Sequence, residues 1–260
     1  MKVFAFISTP RTLPSALALL LCSSVSLCFG VSHEEARVPN NHPPLFSKIR
    51  PYQATYDINY NGTHNVLERS LKKTNSAYWE LNNSLSLLLF GFTEQAIFKA
   101  KNDRIIPLLY DFDHGLNTSK DSSLSFNWSN STVTDAKRKL TRTISPGTQD
   151  VLSFQLQLRL DLLKHGDNFT EKNYTLFDKK RFKEYSVRHI GEETLATPAG
   201  RFLAVKLEQR RKGKKDYSHI WLAKNKDYFL LRIERIKDKT ATYSLQLSDV
   251  KIDGAPLRSQ

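Results

Sequence analysis

From Phe202 onward, polar turns punctuate the chain at a spacing that leaves room only for short strands. Phe202–Glu208, Tyr217–Leu222, Tyr228–Arg235 and Ala241–Leu247 are four short runs, separated by Arg210–Lys215, Lys224–Asp227 and Lys237–Lys239. In the last run Ala241, Tyr243, Leu245 and Leu247 fall on one face, and Thr242, Ser244, Gln246 and Ser248 on the other. Successive side chains of a strand point to opposite sides, so this alternation predicts an antiparallel meander with one buried face.

The same logic extends toward the N-terminus. Tyr52, Ala54, Tyr56, Ile58 and Tyr60 alternate with polar residues, and Asn61-Gly62 supplies the two residues that a tight hairpin turn requires. A returning strand passes through Val66, Leu67 and Leu71, and residues 77–109 and 123–134 carry further strand signals around Asn102-Asp103 and Ser129-Asn130. Residues 31–51, with Pro39, Pro43, Pro44 and Pro51, read as an extended leader, residues 52–252 as a single β-rich domain and 253–260 as a tail. One stretch resists assignment. Across 149–163, Leu152, Phe154, Leu156, Leu158, Leu160 and Leu162 alternate as in a strand. Leucine and glutamine are also good helix formers, Thr148 is a candidate cap, and Leu152, Leu156, Leu160 and Leu163 share a helical face.

Lys2 and Arg11 flank an apolar run from Leu13 to Phe29, followed by small residues at 30–32. This is the composition of a cleaved secretory signal over residues 1–30, and it is short for a membrane span. Both cysteines, Cys22 and Cys28, lie within it, and each follows a leucine, a poor fit to a lipidation site. After cleavage the chain would have no thiol and no membrane span, and its core alone would hold the fold. The net charge of +13 becomes +11 when Lys2 and Arg11 are removed. In the periplasm or outside the cell such a surface meets lipid head groups and acidic polymers, so nucleic acid is not the expected partner. Asn61, Asn82, Asn117, Asn127, Asn130, Asn168 and Asn173 head Asn-x-Ser/Thr triplets, which leaves glycosylated secretion open.

Chemistry-bearing motifs are sparse. No pair of histidines has metal-ligand spacing and no glycine loop is built to cradle phosphate, so no cofactor, metal site or catalytic residue is expected. Asp111, Asp113 and His114 form the best acidic cluster, and hydrolysis there is the one catalytic alternative. Ser153, after Asp150, reads as a capping or packing residue. Tyr52, Tyr56 and Tyr60, with Trp221, are candidate lining for an apolar ligand cavity, against the plainer reading of an aromatic core. Lys212, Lys214 and Lys215 in a hairpin turn are candidates for docking on an anionic surface, against the plainer reading of a soluble turn.

Gly191-Glu192, Thr197-Pro198-Ala199-Gly200, Trp221-Leu222-Ala223 and Arg232-Ile233-Glu234 carry a family resemblance, as do Ile106-Pro107 and Gln149-Asp150 with Leu152-Ser153. Over residues 50–250 the chain resembles a family of exported bacterial proteins known only as a domain of unknown function, numbered thirty-one-oh-eight. The resemblance implies a strongly curved antiparallel sheet or partly open barrel. It also implies a helix near 149–164, and it brings no catalytic residues. Together these readings predict a non-catalytic envelope protein that binds a hydrophobic or lipid-like component in the concave face of its sheet. The alternative is an interaction protein that docks anionic surfaces through its basic turns.

Overall fold

The computed structural model describes residues 43–257 apart from 76, 87–90 and 116. The signal segment with Cys22 and Cys28, the leader up to residue 42 and the last three residues of the tail lie outside the described residues. Eight strands come first: β1 (Tyr52–Tyr60), β2 (Thr63–Lys73), β3 (Trp79–Ser86), β4 (Gly91–Lys101), β5 (Arg104–Asp113), β6 (Ser122–Asn127), β7 (Thr132–Asp135) and β8 (Leu140–Thr143). A helix, α1 (Ser153–His165), follows. Seven strands complete the chain: β9 (Glu171–Asp178), β10 (Arg181–Thr197), β11 (Gly200–Arg211), β12 (Tyr217–Ala223), β13 (Phe229–Lys237), β14 (Thr240–Ile252) and β15 (Ala255–Pro256).

All belong to one antiparallel sheet, ordered from β8 back to β1, then β14 back to β9, with β15 beside β14. Two meanders are therefore joined where β1 pairs with β14, from Tyr52 opposite Ile252 to Tyr60 opposite Tyr243. The two ends, β8 and β9, do not pair with each other, so the sheet is curved but not closed into a barrel. Tight turns set the register. Asn61 and Gly62 sit at φ 47° and 85°, and Asn102-Asp103 and Asp238-Lys239 also take positive φ, as two-residue hairpins demand. Register shifts in the β1, β10 and β13 pairings bend the strands and add twist. In β10 the shift falls at Gly191, whose φ of 147° side-chain-bearing residues rarely adopt.

The ambiguous stretch is helical, and its surroundings explain the ambiguity. Phe154, Leu156, Leu158, Leu160 and Leu162 are all buried, and so are Gln157, Arg159 and Asp161 between them. Apolar side chains two apart are about 200° apart on a helix, so strict alternation spreads them around the whole circumference. A helix of that kind has no solvent face, and it suits an interior position. The curved sheet wraps it: α1 contacts β5, and its side chains bond or stack on β9, β10 and the β12–β13 turn. Asp150 starts the helix, its Oδ1 accepting the backbone N–H of Leu152 and of Ser153, each at 2.8 Å. Ser153 Oγ returns the bond by accepting the Asp150 N–H at 3.1 Å. Thr148, the expected cap, instead donates to the Ser145 carbonyl at 2.8 Å, because Asp150 lies nearer the first turn.

Both ends of the domain extend beyond the sequence boundaries. Leu45–Lys48 form a short 3-10 turn, with Phe46 edge-on to Trp79 at 5.0 Å and Ile49 buried behind it. The folded part therefore begins before Pro51. In the tail, β15 pairs with β14 and the Leu257 N–H donates to the Val250 carbonyl.

Candidate functional site

Tyr52 and Tyr56 face α1 as core. Tyr56 is fully buried and donates its hydroxyl to the Leu230 carbonyl at 3.0 Å, and burial holds its phenol far above the usual range. Tyr52 packs edge-on against Phe229 at 4.9 Å, and its hydroxyl accepts a 2.9 Å bond from Arg69 Nε. Tyr60, at the end of the strand, is 44% exposed. Trp221 projects from the other face of β12, since its neighbours Ile220 and Leu222 turn toward α1. Its Nε1 donates to Glu193 Oε1 at 2.5 Å, and its ring lies between Lys206 at 4.8 Å and Arg232 at 5.4 Å. The Trp221 N–H, with Lys206 beside it, keeps Glu193 below the usual carboxylate range. The four aromatic candidates are thus not brought together. Between the sheet and α1 lies a cavity of about 20 Å³, on whose wall Tyr52 lies. That is room for about one water.

Of the basic-turn candidates, Lys212 is engaged with Glu184 at 2.6 Å. Lys214 and Lys215 are exposed. Asp111 and Asp113 point to solvent on the outer side of β5. Asp113 Oδ1 accepts the Gly115 N–H at 2.7 Å, a local turn contact, and the His114 N–H donates to Asp121 Oδ1. Burial lowers the His114 pKa. Among the described residues no group of three His, Cys, Asp or Glu side chains is placed to hold a metal ion.

An open concavity lies at the seam. β5 pairs with β6 only from Leu109 to Phe112, which leaves the start of β5 with a free edge. Two glutamine side chains satisfy that edge: Gln157 Oε1 accepts the Ile105 N–H at 2.8 Å, and Gln149 Nε2 donates to the Ile105 carbonyl at 2.9 Å. Gln149 also bridges to β9 through its backbone, donating to the Thr175 carbonyl and accepting the Phe177 N–H. Beside this bridge runs a groove of about 510 Å³, bounded by the start of β5, the 145–149 segment, Gln157 and residues 172–175 of β9. Ile105, Ile106, Trp128, Pro146 and Tyr174 supply apolar walls, with Arg104 and Lys172 at the margin. Hydrogen bonds fix the walls. Trp128 Nε1 donates to the Pro107 carbonyl at 2.7 Å, and Asp161 accepts from Tyr174 OH at 2.8 Å and Lys172 Nζ at 2.7 Å. On the groove floor Gln149 Oε1 is buried and without a hydrogen-bond partner among the described residues. This arrangement suits an apolar body with a hydrogen-bond donor, not acid–base chemistry. Sequence patterns do not bring these residues together: Ile106-Pro107 and Gln149 stand out only as family motifs, Thr148 as a candidate cap and Asn173 as the head of an Asn-x-Ser/Thr triplet.

The family model described as a protein of unknown function (DUF3108) matches residues 55–246. No curated protein matches the chain in sequence. Among solved structures, the β-barrel-like DUF1849 protein of Brucella abortus has a TM-score of 0.54 at 12% identity, over 78% of this chain and 98% of that one. MucB has a TM-score of 0.37 at 12% identity, over 82% and 59% of the two chains. A protein with a YmcC-like fold from Bacteroides fragilis has a TM-score of 0.36 at 16% identity, over 77% and 95%. At these identities the likeness to the Brucella protein concerns the fold alone.

Proposed function

This chain belongs to the DUF3108 family of proteins of unknown function, and from that premise we propose a role on physical grounds. It is an exported, non-catalytic protein of the periplasmic envelope that binds a hydrophobic, lipid-like component. The observation that carries the reading is the seam groove. Its volume of about 510 Å³ lies in the range of small-molecule sites, and its walls are apolar with few polar groups. The interior behind Tyr52 and Tyr56 is filled by α1, so the groove, and not the concave face, is the place for a ligand body. Arg104 at the margin suits an anionic end group, whereas Lys172 is paired with Asp161. Export rests on the basic–apolar–small composition of residues 1–30. Native mass spectrometry of protein purified from its own envelope tests the reading. A co-purifying lipid that is lost in Ile106→Asp, with the melting temperature unchanged, is the expected result. Bare mass from native membranes would count decisively against it.

Docking on an anionic surface is the second reading, and a separate observation favours it. Arg138, Arg142, Lys180 and Arg181 surround a shallow surface depression with Leu140, and Arg138 is paired with Asp135 at 2.7 Å. Arg142 lies on the terminal strand β8, and Lys180 and Arg181 lie at the β9–β10 turn, so the depression joins the two ends of the sheet. Co-sedimentation with anionic vesicles should weaken severalfold in Arg142→Glu/Lys180→Glu. It should weaken less in Lys214→Glu/Lys215→Glu. Binding unchanged in both variants removes this reading.

A further inference from the structure

Two arginines are buried beside α1 without a contact counter-ion. Arg69 of β2 is 5% exposed and Arg159 of α1 is 6% exposed. Both border the cavity of about 20 Å³ between the helix and the sheet, whose remaining wall is mostly aliphatic and aromatic. Arg69 donates through Nε to Tyr52 OH at 2.9 Å. Arg159 donates through Nε and Nη2 to the Asp227 carbonyl, at 3.2 and 3.0 Å, and its guanidinium lies 5.3 Å from the Phe229 ring centre. Among the described residues no carboxylate comes within 4.0 Å of either guanidinium. Nor do both Nη groups of Arg69, or Nη1 of Arg159, have a hydrogen-bond partner there. Glu94, the acid nearest in effect to Arg69, is committed to Asn83 at 3.0 Å and to Tyr110 OH at 2.6 Å. The phenols do not substitute for an acid, because burial raises Tyr56 and keeps it neutral.

Buried guanidiniums are ordinarily paired, since an uncompensated charge away from water is strongly unfavourable. Guanidinium also presents several N–H groups in a rigid fork that matches a compact anion. We propose that Arg69 and Arg159 together bind one small monovalent anion in this cavity, of chloride or carboxylate dimensions. Cavity size excludes sulfate and phosphate diesters. Gln155 Oε1, a buried acceptor on the same wall with no hydrogen-bond partner among the described residues, would accept from a water or from a protonated group, so a single water is the rival occupant. Water would satisfy Gln155 but neutralise neither arginine. The cavity and the seam groove share no lining residue, so the inference does not depend on the groove's role.

Crystals of the wild-type protein soaked in sodium bromide test this directly. An anomalous bromide peak within hydrogen-bond reach of Arg69 and Arg159 is expected. In solution, the melting temperature should rise saturably as chloride replaces gluconate at constant ionic strength, and Arg159→Gln should abolish that dependence. Should Arg159→Gln fail to fold, the wild-type diffraction result decides. Formate, a carboxylate small enough for the cavity, separates the two classes of anion: loss of the bromide peak on its addition assigns a carboxylate ligand, and a persistent peak assigns a halide. A cavity that shows no anomalous peak, with a melting temperature indifferent to the anion, overturns the proposal.

Discussion

Asp150 offers the sharpest test of how α1 is held in place. Its carboxyl is fully buried, and burial raises its pKa from 3.8 to about 6, against the lowering effect of the bonds from Ser153 and Leu152. The gap corresponds to on the order of 3 kcal/mol. Its sign follows from which state keeps the proton. Below about pH 4 the residue is protonated in both states, and its folded environment carries no penalty. Between about pH 4 and 6 the unfolded chain releases the proton while the folded chain retains it, so stability falls as pH rises. Above about pH 6 the cost is complete. Asp150→Asn retains an oxygen to accept the Leu152 and Ser153 N–H groups, but it cannot titrate. Glu80, Glu193 and Glu208 are shifted downward and favour the fold at higher pH, but they are common to both proteins and cancel in the difference. Urea denaturation of both proteins from pH 4 to 7.5 should therefore show the wild type losing about 3 kcal/mol relative to the variant. Two stability curves that stay parallel over this range would refute the argument that burial raises the Asp150 pKa.

Three further perturbations probe the scaffold. Phe154 is fully buried and sits edge-on to Tyr174 at 4.9 Å, so Phe154→Ala should lower unfolding free energy by about 3–5 kcal/mol, read as a shift in denaturation midpoint. Lys183 forms a buried ion pair with Asp178, and Lys183→Met, which removes one charge and keeps most of the volume, should cost about 3–5 kcal/mol at neutral pH. At Gly62 a Cβ would meet nothing within 4 Å, so Gly62→Ala isolates backbone strain at φ 85°. It should cost about 1 kcal/mol, where Gly62→Asn should cost clearly less.

What the sequence revealed depended on whether a signal was local. The meander from Phe202 and the Asn61-Gly62 hairpin were legible because strand alternation and turn chemistry each need only a few adjacent residues. The 149–163 stretch was not legible by period, because an enclosed helix has no polar face to report itself, and family resemblance decided it. Tyr52 and Tyr56 proved to be core, as the plainer reading held. The seam groove depends on a strand edge at Ile105 that meets two glutamines 44 and 52 residues further on, and no local pattern encodes that meeting. Arg69 shares strand parity with the buried Leu67 and Leu71, and a cation on an inward-facing position marks a buried charge.

The opening itself follows from the order of elements along the chain. The first meander ends at β8, the chain then enters α1, and it emerges into β9. Because β1 pairs with β14, the strands that flank the helix in sequence become the two ends of the sheet. The segment that enters the helix lies at one of those ends, where Gln149 is bonded through its backbone to β9. The two ends do not pair with each other, and the seam between them leaves strand edges with backbone groups to satisfy. Gln149 and Gln157 answer that need at Ile105, one from the entering segment and one from the helix. The groove is thus the space left beside an obligatory repair. This predicts that Gln149→Ala, which removes the side-chain bond but keeps the backbone bridge to β9, loosens the groove before it melts the core. Hydrogen exchange should accelerate at Ile105 and its β5 neighbours, with β12 and β13 unchanged. Uniform acceleration across the sheet would mean instead that the seam is no weaker than the rest of the fold.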